Sequence, residues 1–165
     1  MSQTKFVSYA DQGFWAYDVA LSVFLKALVD AAEACGDVRT AWLSAATSYW
    51  REVACIPDWS LTLNAEWSPS QHETFVFLAE KACTTLSTRE SIPAEELAVS
   101  PILDGMQIFL RGAREVATAP VVELGRAIIA LTTKQLPEAP KGEIWLYGAP
   151  TGRCTLRLLQ VQKTK

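Results

Sequence analysis

The stretch FWAYDVALSVFLKALVDAAEAC, residues 14–35, constrains the fold more than any other part of the chain. It is almost apolar enough to cross a bilayer, yet Asp18, Lys26, Asp30 and Glu33 interrupt it. A membrane span needs about 18 or more apolar residues with few or no charges, and each charge at bilayer depth costs roughly 2.5 to 3.5 kcal/mol on the most lenient scale. Asp18, Ser22, Lys26, Asp30 and Glu33 recur at helical steps, forming one narrow polar stripe in which Lys26 and Asp30 are spaced to pair. Trp15, Val19, Leu21, Val23, Phe24, Leu25, Leu28 and Val29 fill the rest of the circumference. The segment therefore reads as a helix from Phe14 to Cys35 at the centre of a globular core, and no membrane partner is expected. A secretory signal fits no better, because the residues before Phe14 carry one lysine and one aspartate instead of a basic cluster.

A chain of 165 residues, 50% hydrophobic and 20% charged, has the material for one well-buried core, so residues 1–165 are read as a single domain. Its cysteines, Cys35, Cys55, Cys83 and Cys154, lie far apart with no metal or redox spacing. They read as buried thiols in a reducing compartment, which with the absence of a signal points to the cytoplasm.

Punctuation marks the remaining elements. Gly36 ends the first helix and Asp37 can cap a second, running to Pro57 with Val38, Ala41, Trp42, Ala45, Ala46, Tyr49, Trp50 and Val53 on one face. DWSLTLNAEW then connects to SPSQ, where Ser68 as cap, Pro69 at the first helical position and Gln71 three residues on form a capping box. The third helix should bury Phe75, Leu78, Ala79, Ala82 and Leu86 and fray near Thr88. Pro93 and Pro101 bracket a short helical AEELA, and Pro120 opens a fourth main helix that buries Val121, Leu124, Ile128 and Leu131. Gln107–Arg111 reads as a short strand. Gly142–Gly148 reads as a better one, joined by the turn GAPTG to a last strand with Cys154, Leu156 and Leu158 inward and a phase slip at Leu158 and Leu159. The class is α+β: a helix-rich single domain of about four main helices with a small antiparallel sheet from the carboxy-terminal third.

Chemistry is sparse. The one histidine, His72, falls in the first turn of the third helix, where exposed amides and the helix dipole oppose its protonation, so it reads as a surface residue of the capping turn. No nucleophile and base pair, no metal spacing and no cofactor motif is present; catalytic residues are therefore not assigned and an enzyme is not favoured. GAPTGR lacks the lysine and the helix start of a phosphate loop. Glu95 and Glu96, being adjacent, point about 100 degrees apart on a helix and read as solvated.

Charge says more. Residues 1–100 hold six Lys and Arg against thirteen Asp and Glu, a balance of minus seven; residues 101–165 hold nine against five, plus four, and the two sum to the chain's minus three. Arg111, Arg114, Arg126, Arg153, Arg157, Lys163 and Lys165 are scattered without the aromatic interleaving of a single-strand binding face, which argues against nucleic acid. In the acidic part, Asp58 and Glu66 stand beside Trp59 and Trp67 in the connection before the capping box. Tryptophan concentrates binding energy and carboxylates steer encounter, so these four residues are the candidate partner-binding site, for a basic protein; the competing expectation is that both tryptophans fold back as lids on the helices. The alternative surface is Trp145, Tyr147, Arg153 and Arg157. The expected function is a protein-binding module, in its favoured form a small bacterial inhibitor or immunity-type protein that neutralises a cognate toxin or enzyme. The alternatives are a small enzyme or ligand-binding domain with a pocket between helices and sheet near Arg111, Arg153 or Tyr147, and a structural subunit of an assembly.

Overall fold

The amino-terminal residues that hydropathy groups with the first helix form strands instead. A computed structural model describes residues 3–36, 40–99 and 102–158, and in it β1 (Thr4–Tyr9) and β2 (Gln12–Tyr17) pair as an antiparallel hairpin. Val7, Phe14 and Ala16 are buried on one face, while Phe6 and Trp15 face the other with ring centroids 5.2 Å apart. The helix expected from Phe14 accordingly begins at Asp18 (α1, Asp18–Ala34). Aromatic side chains at alternating positions suit a pleated strand, and the register Val7↔Phe14 and Lys5↔Ala16 commits them to it. From Asp18 to Ala32 only Ala27 and Asp30 escape full burial, so the polar stripe reaches water only at its carboxy-terminal end: Asp18, Ser22 and Lys26 are buried, Asp18 held by Arg111 and Lys26 by Asp30. Lys26 and Asp30 pair at 3.1 Å.

Helix α2 (Ala41–Cys55) presents Leu43, Ala46, Thr47, Trp50, Val53 and Ala54 to the core. This face is rotated from the expected one: Ala41 and Ala45 are exposed, and Trp42 and Tyr49 are half-buried. Asp37 and Val38 lie outside the described residues. The connection that follows contributes β3 (Leu61–Leu63), parallel to β1. Helix α3 (Pro69–Ser87) starts on the expected capping box: Ser68 Oγ accepts from Gln71 N at 3.2 Å and Gln71 Oε1 accepts from Ser68 N at 3.0 Å. Such a cap contributes roughly 0.5–2 kcal/mol. Phe75, Leu78, Ala79, Ala82 and Leu86 are buried and the helix caps at Thr88, as their spacing predicts.

Beyond α3, β4 (Ser91–Pro93) pairs antiparallel with β5 (Glu115–Ala117), and α4 (Ala94–Ala98) is the short AEELA helix; Pro101 lies outside the described residues. The strand expected at Gln107–Arg111 is corrected to irregular chain. Arg111 takes a left-handed φ of 51°, which no strand accommodates, and its Nε reaches Asp18 Oδ2 at 2.7 Å. Helix α5 (Thr118–Thr132) carries Pro120 in its first turn and buries Val121, Leu124, Ile128 and Leu131. Strands β6 (Glu143–Tyr147) and β7 (Cys154–Arg157) form the expected hairpin across GAPTG.

The α+β class stands, with a sheet that reaches beyond the carboxy-terminal third. Five strands run in the order β3-β1-β2-β6-β7, and because β1 pairs with β3 and β2 with β6 in parallel, the sheet is mixed. The inward set expected on the last strand is also corrected. Cys154, Leu156 and Leu158 are exposed, the leucines at 37% and 54%, because the register Ile144↔Leu156 and Trp15↔Leu146 puts them on the sheet face away from the helices. Leu159 lies outside the described residues.

One contiguous core lies between the other sheet face and the helices, with α1 packed by α2, α3 and α5. Close approach of α5 depends on Gly125: a Cβ there would stand 2.6 Å from both Cys83 Sγ and the Phe24 ring. One buried cation and one partly buried cation sit near the start of α1. Lys5, 2% exposed, donates to the carbonyls of Val53 and Ile56 and so caps the end of α2. Arg111 clasps Asp18, whose other oxygen accepts from Val19 N at 2.7 Å. Among the described residues no helix is long and apolar enough to cross a membrane.

Candidate functional site

Helix α2 has an apolar stripe wider than its contact with the core, and the surplus forms the wall of a cleft. Trp42, Tyr49 and Trp50 line one side, Thr62–Asn64 of β3 and its exit the base, and Glu66, Trp67 and Gln71 the other side, enclosing about 420 Å³. The aromatic rings are fixed by one another. Trp67 meets Trp42 edge-on at 5.5 Å and lies 5.3 Å from Phe75, which is itself 5.8 Å from Trp50. Tyr49 is held by its hydroxyl, which accepts from Thr62 N at 2.9 Å and donates to Ser60 O at 3.1 Å. Asn64 Oδ1 accepts from Glu66 N at 2.8 Å and shapes the turn that carries Glu66.

Of the four residues singled out in the sequence, Glu66 and Trp67 line this cleft. Trp67 is half-buried, a lid on Trp42 and Phe75, whereas Trp59 is 44% exposed. Asp58 and Trp59 occupy the turn between α2 and β3, outside the cleft's lining, with Asp58 at a left-handed φ of 65°. Asp58 also acts inward. Burial pushes the Lys5 ammonium below its ordinary value, and the carboxylates of Asp18 and Asp58 pull it back. Sequence reasoning missed Trp42 and Tyr49, which it assigned to the core face, along with Asn64 and Gln71 as lining; Trp50, 1% exposed, is the core residue its spacing predicts and also backs the cleft. The available signal was the breadth of the α2 stripe, too wide for one helix contact.

The alternative surface divides. Tyr147 is 4% exposed, with its ring 4.9 Å from Phe14; burial pushes its phenol up against the opposing hydrogen bond from Arg153. Trp145 is half-buried, donates from Nε1 to Pro137 O at 2.8 Å and lies under the Arg153 guanidinium at 4.7 Å. Arg153 and Arg157 are exposed, the latter across from Glu143.

His72 Nε2 is buried without a hydrogen-bond partner, its ring 6.3 Å from Tyr9 and outside the cleft lining. Among the described residues no group of three or more His, Cys, Asp or Glu could hold a metal. A second groove of about 390 Å³ lies between α1, α3 and α4, and each of its cations already has a partner: Lys26 with Asp30, Arg89 with Glu96, and Lys81 with Cys35 Sγ at 3.8 Å. The cavity between sheet end and helices, about 270 Å³, is lined by Tyr17, Val116, Pro120 and Gly148 among others, and by none of Arg111, Tyr147 and Arg153. Rings with one carboxylate, and no base or nucleophile beside them, can hold a cation or an amphipathic side chain. Comparison with protein-family models, with curated proteins and with solved structures finds no match.

Proposed function

We propose that the chain is a protein-binding module whose aromatic cleft receives a basic side chain of its partner. The observation that carries this reading is the cleft itself: Trp42, Tyr49, Trp50 and Trp67 grouped with Glu66, in the acidic part of the chain, with Trp59 exposed in the turn that leads to β3. An ammonium or guanidinium over an aromatic face gains about 0.5–1 kcal/mol when exposed and about 2 or more when desolvated, and a carboxylate at the rim adds orientation and faster encounter. Lys and Arg also bury long apolar stems against such rings. The form of this function we favour is an inhibitor or immunity-type protein of bacterial kind that covers the working surface of a cognate toxin or enzyme.

The test is a titration with hexa-arginine, followed by tryptophan emission, with hexa-glutamate as the control. The parent chain should respond to the basic peptide and lose much of that response when salt is raised from about 20 to about 200 mM. Glu66→Lys and Trp42→Ala should weaken binding while melting near the parent; Trp67→Ala is avoided because it also loosens Phe75. Equal responses from parent and both variants, or no response at all, would refute the cleft as the site. With a cognate protein in hand, Trp59→Ala should raise its dissociation rate and Asp58→Lys or Glu66→Lys should slow association at low salt.

A further inference from the structure

The aromatic cleft is built over a gap in the side-chain row of α2. Trp42 and Tyr49 stand seven residues apart, with Ala45 and Ala46 between them, and all four line the cleft. Seven residues bring a helix back to the same face and advance it roughly 10.5 Å along its axis. The two rings are therefore opposite walls, and the alanine methyls are the floor between them. A cation seated midway is about 5 Å from the level of each wall, inside the roughly 6 Å over which a ring face attracts it. Trp67 closes a third side, its plane turned 70° from that of Trp42, and Tyr49 is pinned through its hydroxyl to Ser60 O and Thr62 N. Among the described residues that line the cleft, Glu66 alone is charged.

Resting on the reading that this cleft takes a basic side chain, we infer that the side chain is a trimethylated lysine, a quaternary ammonium with no N–H group. The hydrogen-bond inventory of the cleft carries this. A lysine ammonium brings three N–H donors and a guanidinium five, and a donor taken out of water without an acceptor is costly. The neutral side-chain acceptors around the cleft are already engaged with the protein's own backbone. Tyr49 Oη accepts from Thr62 N at 2.9 Å, Asn64 Oδ1 from Glu66 N at 2.8 Å and Gln71 Oε1 from Ser68 N at 3.0 Å. The Glu66 carboxylate balances one positive charge from the rim but cannot meet three diverging donors. Methylation removes the donors and keeps the charge, spreading it over methyl groups that pack on ring faces and on the alanine floor; this is how aromatic cages select quaternary ammonium ions. The carrier is a lysine because the partner in that reading is a protein, and the lysine stem lies along the same rings. A free choline-type cation shares the head group and is separated by the test.

Tryptophan emission of the full chain tests this, titrated with one glycine-flanked peptide in three forms and with choline chloride. The central residue is lysine, trimethyllysine, or the neutral isostere in which a tert-butyl group replaces the trimethylammonium. The trimethyllysine peptide should bind at least about fivefold more tightly than the lysine peptide, and more tightly than the isostere and choline. Ala45→Leu, at an exposed position, should fill the gap and abolish the preference while melting like the parent. Glu66→Gln should weaken both charged peptides and leave the isostere unchanged. Equal binding of lysine and trimethyllysine with the hexa-arginine response intact overturns the inference and leaves the cleft as a cation site, whereas loss of the hexa-arginine response removes the reading beneath it. An isostere that binds as well as trimethyllysine makes the cleft an apolar pocket and overturns the inference, as does a preference that survives Ala45→Leu. Choline binding as tightly as the trimethyllysine peptide overturns the lysine carrier.

Discussion

Gly125→Ala sets two known effects against each other with opposite signs. At an exposed helix position the change should stabilise by about 1 kcal/mol through helix propensity. Gly125 is not exposed: the added methyl would lie 2.6 Å from Cys83 Sγ and 2.6 and 2.9 Å from two atoms of the Phe24 ring, about 1 Å inside ordinary carbon contact. Neither neighbour can retreat, because Phe24 is 0% and Cys83 5% exposed. Overpacking by one methyl costs about 1–3 kcal/mol, and two immovable neighbours place this site at the upper end. Net destabilisation of about 2 kcal/mol follows, a fall of roughly 4–8 °C in Tm for a chain of this size. Urea unfolding of the parent, Gly125→Ala, Cys83→Ala and the double variant measures it. Since Cys83→Ala removes the sulfur, Gly125→Ala should cost less in that background, with a coupling of at least about 0.5 kcal/mol. A neutral or stabilising Gly125→Ala, or strict additivity with Cys83→Ala, would show that α5 does not pass as close to α1 and α3 as described.

The thiols and the buried lysine give two further expectations. Burial pushes the Cys83 thiol up to about 11 and raises that of Cys55, while Cys154 is exposed; at pH 8 about a thousandth of Cys83 is thiolate. Iodoacetamide at low chain concentration should therefore label Cys154 well before Cys55 or Cys83, and equal labelling of Cys83 in the folded chain would contradict its burial. Lys5 is depressed by burial, so between its folded pKa and the ordinary 10.5 the unfolded chain holds a proton that the folded chain has released. Stability then gains with rising pH through that window, and urea midpoints of Lys5→Met should lack that gain relative to the parent; parallel pH curves would refute it.

What was legible in the sequence was whatever depends on local spacing. The Lys26–Asp30 pair of α1, the capping box at Ser68 and Gln71, the short helix AEELA and the β6–β7 turn are short-range patterns, and each is present. The hairpin β1–β2 was hidden because Phe14–Tyr17 are as apolar as the helix they precede, so hydropathy ran across a boundary that only alternation marks. Orientation on β7 was lost for a different reason. Leu156 looks inward from its own strand, and only the pairing of Ile144 with Leu156 and Leu146 with Trp15, more than a hundred residues apart in the second case, shows which way it faces. The candidate site was half legible: Glu66 and Trp67 came from composition of a single connection, whereas Trp42 and Tyr49 belong to it through the tertiary position of α2.

The strand order carries a consequence for synthesis. The hairpin at the middle of the sheet is made well before its neighbour β6, which arrives only with Glu143–Tyr147. At about 5–20 residues per second, the interval between Tyr17 and Glu143 is roughly 6–25 s. Throughout it β2 has an open edge where Trp15 and Ala16 will later meet Leu146 and Tyr147, and Phe14 lacks the ring of Tyr147 that will cover it. A nascent chain of this topology is thus a natural client for chaperones at the ribosome, and its yield should depend on how quickly translation reaches the β6–β7 hairpin.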